Sequence, residues 1–276
     1  MNSKPLAFAL AVLTAVLTAP GTAAARDGSL GVCGSLSAPV RDVIHHCRRA
    51  LSRGGLSIEQ EFAANLNLGD ALMSAGQPGA ARDAFIAAEE IGLERVELYI
   101  GRAGAEEALG ERRVAAEQLD RALAMAPRSK DVRLARGAFF LRIGQAEAAF
   151  EEFDFAVGID PEDDDALYNR GLTLIAHGSG DQAEADFSAV LRRAPNVAGA
   201  HYQRGRAREP RDGAGALADY AQAIELSPEW AQPYFAAGRL LDRNGQNEAA
   251  NARFRRAFEL GHKDPWLLDR IRSLGG

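Results

Sequence analysis

From about residue 62 onward, apolar and small side chains return at steps of three and four, the spacing that lines one face of a helix. The stretches are short, and glycines such as Gly76, Gly110, Gly144 and Gly245 stand where a helix must stop and the chain reverse. They predict helices joined in pairs by tight turns. Several registers recur at a single interval. Gly110, Gly144 and Gly178 are 34 residues apart, as are Ala115, Ala149 and Ala183, and Pro127, Pro161 and Pro195. Leu119, Phe153 and Phe187 keep that interval, and so do Ala122, Ala156 and Val190. A hairpin this short cannot bury its own apolar face, so neighbouring units must stack into a solenoid. The expected fold is all-α.

The 34-residue period and the residue types resemble the tetratricopeptide repeat (TPR), a helix–turn–helix unit. The family pattern is small at position 8, small at 20, aromatic at 24 and proline near 32. Here position 8 is Gly69, Ala103, Gly137, Gly171, Gly205 and Gly238. Position 20 is Ala81, Ala115, Ala149, Ala183, Ala216 and Ala250, and position 24 is Phe85, Leu119, Phe153, Phe187, Tyr220 and Phe254. The resemblance implies six repeats, 62–95, 96–129, 130–163, 164–197, 198–230 and 231–264, about three-quarters of the chain. The fifth is one residue short, and Glu209-Pro210 should end its first helix early, with 211–215 a tight turn.

The flanks are read in the same terms. Residues 26–61 form an extension in which Val43, Cys47, Ala50 and Leu51 match a second repeat helix, with Cys47 in place of the aromatic. Cys33, Cys47 and the following Gly55-Leu56-Ser57 resemble the start of secreted bacterial TPR proteins. Residues 265–276 are expected to cap the array: Trp266, Leu267 and Ile271 cover the sixth repeat, while Asp269, Arg270 and Arg272 face water.

The first 25 residues read as a signal peptide. Lys4 gives a positive start, Leu6 to Ala19 is a run of 14 apolar residues and threonines, and Thr22-Ala23-Ala24-Ala25 offers an Ala-x-Ala site. The run is shorter than the roughly 20 residues that span a bilayer. Cleavage near Ala25/Arg26 would leave a periplasmic or secreted protein with no stable membrane insertion. A net charge of -6 gives no basis for nucleic-acid binding. In an exported chain the two cysteines, Cys33 and Cys47, are expected to form a disulfide. The alternative is a metal site with His45 and His46, although adjacent histidines on a helix point about 100° apart.

Polar positions add two expectations. Position 7 is Arg136, Arg170 and Arg204 in repeats 3 to 5, where position 23 is Glu152, Asp186 and Asp219; these should pair across the two helices of each repeat. An arginine row for anionic ligands is the other reading. In the family the first helices line a concave groove, through positions that include 5, 9 and 12. In the C-terminal half these are Tyr168, Tyr202 and Phe235, then Arg206 and Arg239, then Glu209 and Asp242, an aromatic surface carrying paired charges. The same rings could instead serve only to pack one repeat on the next. The lysine and asparagine set that clamps a chaperone's terminal carboxylate in some TPR domains is absent.

No constellation supports catalysis, a metal or a cofactor. Asp160 to Asp165 lacks the spacing of a calcium loop and fits a helix start. His177 and His262 fall in turns and are expected in solvent, and His201 at a packing position. The chain therefore reads as a non-enzymatic exported scaffold that takes a peptide segment or helix of a partner protein in its groove. Alternatives are a self-associating structural protein of the cell envelope, a homo-oligomer, or a metal carrier or enzyme using the N-terminal Cys/His cluster.

Overall fold

The computed structural model describes residues 28–274, and the expected signal peptide lies outside them. The described chain is helical throughout, with fifteen helices and no strand. It divides into two compact units, Met1–Arg136 and Gly137–Gly276.

The first unit holds α1 (Ser29–Cys33), α2 (Val40–Arg53), α3 (Ile58–Ser74), α4 (Pro78–Glu90), α5 (Val96–Ala108), α6 (Arg112–Met125) and the start of α7 (Lys130–Arg142). Cys33 closes α1 and is joined by a disulfide to Cys47 of α2, with Cα atoms 4.7 Å apart. Both cysteines are buried in one cluster with Val43, Phe62 and Leu66. The disulfide thus occupies the place that a ring fills in later repeats. Helix α3 begins on a reciprocal cap: the Ser57 hydroxyl accepts from the Gln60 N–H at 3.2 Å, and the Gln60 carboxamide accepts from the Ser57 N–H at 3.1 Å.

The second unit continues from α7 through α8 (Ala146–Ile159), α9 (Asp164–Ala176), α10 (Gly180–Arg193), α11 (Ala198–Arg208), α12 (Gly213–Leu226), α13 (Ala231–Arg243), α14 (Asn247–Glu259) and α15 (Pro265–Leu274). Asp163 caps α9 by accepting from the Ala166 N–H at 2.7 Å, so the acidic run does start a helix.

The glycine at position 8 exists to seat the ring at position 24. A Cβ on Gly171 would lie 2.7 Å from the Phe187 ring, on Gly205 2.7 Å from Tyr220, and on Gly238 2.6 Å from Phe254. Those three rings are fully buried. In the second repeat the pair is Ala103 and Leu119: the smaller partner at 24 leaves room for a methyl at 8.

Helix ends follow two chemistries. First helices stop on glycines in the left-handed region: at Gly178 (φ 74°) the Ser179 N–H reaches back to the Leu174 carbonyl at 2.9 Å, and Gly76, Gly110, Gly144 and Gly245 do likewise. Helix α11 departs, as expected. It ends at Arg208 without such a glycine, and the Asp212 N–H bonds the Arg208 carbonyl at 2.8 Å instead. Second helices stop where the next residue is proline, at Ala126, Asp160, Ala194 and Ser227. The first and sixth repeats have no proline there, and Gly92 (φ 81°) and Gly261 (φ 84°) end those helices.

The terminal helix caps the second unit. Leu267 is fully buried, Ile271 packs on the same cluster, and Trp266 lies edge-on to Phe254 with centroids 5.1 Å apart. Arg270 corrects the expectation that it faces water. It donates to Asp242 at 2.8 Å and ties α15 to α13. No described helix is long and apolar enough to cross a membrane.

Candidate partner-binding surface

The arginines at position 7 build the scaffold. Arg170 donates through Nε and Nη2 to both oxygens of Asp186 at 2.9 and 2.7 Å, joining α9 to α10, and Nη1 reaches Asp154 of α8 at 2.8 Å. Hydrogen bonding to Asp186 raises the already high pKa of Arg170 further. Arg204 grips Asp219 in the same way at 3.0 and 2.6 Å, and Nη1 reaches Ser188 of α10 at 3.3 Å. In the first unit Arg136 reaches Asp120 at 3.1 Å. Each arginine thus bonds backward to position 25 of the preceding repeat, a link that sequence reasoning missed. Its signal was present, since Asp120 and Asp154 are 34 residues apart. These arginines are spent on carboxylates, which leaves the row of anion sites without support. A cleft of about 220 Å³ opens beside Phe150 and Leu174, but its cation is Arg170, already held by two carboxylates.

The position-5 aromatics are half-buried and locked from below. Tyr168 stands edge-on to Phe187 with centroids 5.4 Å apart, and Tyr202 lies between Tyr220 at 5.8 Å and Trp230 at 4.8 Å. Burial raises the pKa of both tyrosines, and the neighbouring Arg206 opposes the shift. Phe235 rests on His262 at 4.3 Å and on Phe254 and Trp266 at 6.2 Å each. These rings join repeats and still show an edge outward. His262 is therefore not a solvated turn residue. It is half-buried against Phe235, and burial lowers its pKa. His177 is exposed, as expected, with its ring centroid 6.0 Å from that of Phe150 and Nδ1 3.6 Å from Glu147. His201 packs as expected, its Nε2 2.9 Å from the Pro195 carbonyl.

The charges at positions 9 and 12 do not pair with each other. Glu209 accepts from the Tyr220 hydroxyl at 2.6 Å and from Arg243. That bond and burial push the Tyr220 pKa up, burial being the larger cause. Asp242 is held by Arg270. The arginines meant to pair with them are exposed. Arg206 donates to the Gln203 carboxamide at 2.9 Å, and Arg239 lies over the rings of Phe235 and Trp266, 6.0 Å from each centroid. Trp266, 46% exposed, extends this surface from the cap. The N-terminal Cys/His cluster gathers no site: with both sulfurs in the disulfide, neither is a thiolate ligand.

Residues 100–164 and 168–231 match the family described as tetratricopeptide repeat. No curated protein matches the chain. The fold is similar to that of PilF from Pseudomonas aeruginosa, with a TM-score of 0.68 at 19% identity over 78% of this chain and 98% of that one. It is also similar to a chain of the APC/C hetero-tetramer Cut9–Hcn1, with a TM-score of 0.72 at 15% identity over 88% of this chain and 48% of that one. YrrB, a TPR protein with an unusual peptide-binding site, scores 0.52 at 21% identity over 69% of this chain and 96% of its own. Residues 100–164 and 168–231 thus carry tetratricopeptide repeats, and the described chain has the helical-repeat fold of these solved proteins.

Proposed function

We propose that the protein is an exported, non-enzymatic scaffold that holds an extended segment or a helix of a partner protein against α9, α11 and α13. One observation carries this reading: Arg206 and Arg239 are exposed and bear no carboxylate partner among the described residues, beside aromatic rings fixed from beneath. Rigid aromatics flanked by arginine are the composition of protein-binding hot spots. Anchors already held in place lose little freedom when a partner arrives. The similarity of the fold to YrrB, a TPR protein with an unusual peptide-binding site, supports the reading. Export is supported by the composition of residues 1–25 and by the Cys33–Cys47 disulfide, a bond that persists in oxidising compartments. A periplasmic or secreted location follows from the same two features.

Site-specific photo-crosslinking in the native host tests the reading. A crosslinking residue at 206 or 239 should trap a partner, and one at the exposed positions Arg192 or Glu225, on second helices α10 and α12, should not. Capture from 192 and 225 but not from 206 and 239 would move the working surface to the other face. Crosslinks joining two copies of the chain would support the self-associating structural role instead.

A further inference from the structure

We infer that the segment held on this surface is acidic, with an aliphatic or aromatic side chain set between its carboxylates. The inference rests on the groove reading above and narrows it to one partner chemistry, an acidic stretch of another protein. It comes from an accounting of charge. Positions 9 and 12 of the fifth and sixth repeats hold Arg206, Glu209, Arg239 and Asp242, and Arg243 and Arg270 reach the two carboxylates. Arg243 neutralises Glu209, and Arg270 neutralises Asp242. Two positive charges remain open on a chain whose net charge is -6.

Both open arginines are held in position by neutral groups. Arg239 lies over Phe235 and Trp266, and a guanidinium attracted to ring faces keeps its in-plane N–H donors available. Arg206 is held on one side by Gln203, leaving its other donors to solvent. A planar fork fixed this way matches a carboxylate bidentately, with little further ordering on binding. The neighbouring carboxylates do not compete, because Glu209 is engaged by both the Tyr220 hydroxyl and Arg243. Between and beside the cations lie the exposed edge of Trp266 and the half-buried Tyr202 and Phe235, which suit an apolar side chain. Two cations are too few for the run of phosphate contacts that nucleic-acid affinity needs.

The test uses the full mature chain and three fluorescein-labelled peptides of equal length and identical Phe and Leu positions. The intervening residues are Asp and Glu, Asn and Gln, or Lys. Fluorescence anisotropy at low salt should rank acidic over neutral by roughly tenfold, with the Lys peptide weakest. The acidic advantage should shrink as salt rises. Arg206→Glu with Arg239→Glu, both at exposed positions, should reverse the ranking while the helical circular dichroism is kept. Equal binding of all three peptides, lost on Trp266→Ala, would overturn the acidic preference and leave the groove reading standing. Acidic-peptide binding that survives both the charge reversal and Trp266→Ala would place the site elsewhere and overturn both. Absence of binding by any peptide overturns the inference, as does tighter binding of a labelled oligo-dT.

Discussion

Replacing Gly171 with alanine should destabilise the protein, against the ordinary preference of helices for alanine. A methyl there would stand 2.7 Å from Cζ of Phe187 and 3.0 Å from Cε1 and Cε2. The ring cannot retreat, because it is fully buried and braced by Tyr168. Overpacking of this kind costs about 1–3 kcal/mol, while alanine in a helix interior gains about 1 kcal/mol over glycine. The net loss expected is about 1 kcal/mol. The second repeat shows how to invert the sign, since there Ala103 faces Leu119. Phe187→Leu alone should destabilise by leaving a gap over Gly171. Adding Gly171→Ala to it should restore about 1 kcal/mol, because the clash is gone and the helix preference remains. Urea unfolding followed by circular dichroism, with amide exchange of α9 and α10 as the local readout, gives the four corners of this cycle. A Gly171→Ala effect of the same sign and size in both backgrounds would refute the glycine–ring pairing.

Other expectations follow from the same contacts. The Arg170–Asp186 pair, with side chains 21% and 6% exposed, should show a coupling energy of about 1–2 kcal/mol in a double-mutant cycle. The exposed Arg113–Glu117 pair should couple by less than about 0.5 kcal/mol, and equal couplings would contradict the assigned role of burial. Asp70 on α3 has its pKa raised by burial to about 7, so the folded chain holds this proton more tightly than the unfolded one. The stability it contributes is full below about pH 4 and is lost as pH rises through about 7. Asp70→Asn should flatten that decline in urea midpoints between mildly acidic and alkaline buffer, and an unchanged slope would exclude Asp70 as its source. Reducing the Cys33–Cys47 bond should cost about 3 kcal/mol through the loop it closes, with the loss confined by amide exchange to α1–α3. Uniform loss across both units would contradict that assignment.

The fold was legible because every repeat solves the same burial problem, and the solution shows as a period. Gly171 and Phe187 are far apart in sequence, yet each recurs with its counterparts at one interval, and so does their contact. Helix ends were legible wherever glycine or proline dictates the backbone, and Pro210 marked the one first helix that ends differently. The charges of the surface were not. Glu209 lies one helical turn from Arg206, and Asp242 one turn from Arg239, so local spacing suggests pairs. Partners distant in sequence win instead: the hydroxyl that makes Tyr220 unlike the phenylalanines at its position, and the guanidinium of Arg270 on the cap. His262 was misplaced for a related reason. Its turn position implies solvent, but the last repeat presents the Phe235 ring to it. In both cases a residue that breaks the repeat decides the contact: Tyr220 and Arg270 in the first, and in the second His262 itself, which stands where other repeats have proline.

The central claim is that partners are held on the first helices of the second unit, by open arginines set among braced rings. Amide hydrogen exchange of the full chain, with and without the partner trapped by crosslinking, tests it most directly. The account predicts added protection in α9, α11, α13 and the start of α15, with α10, α12 and α14 unchanged. Protection concentrated in α10, α12 and α14, or confined to α1 and α2, would contradict it.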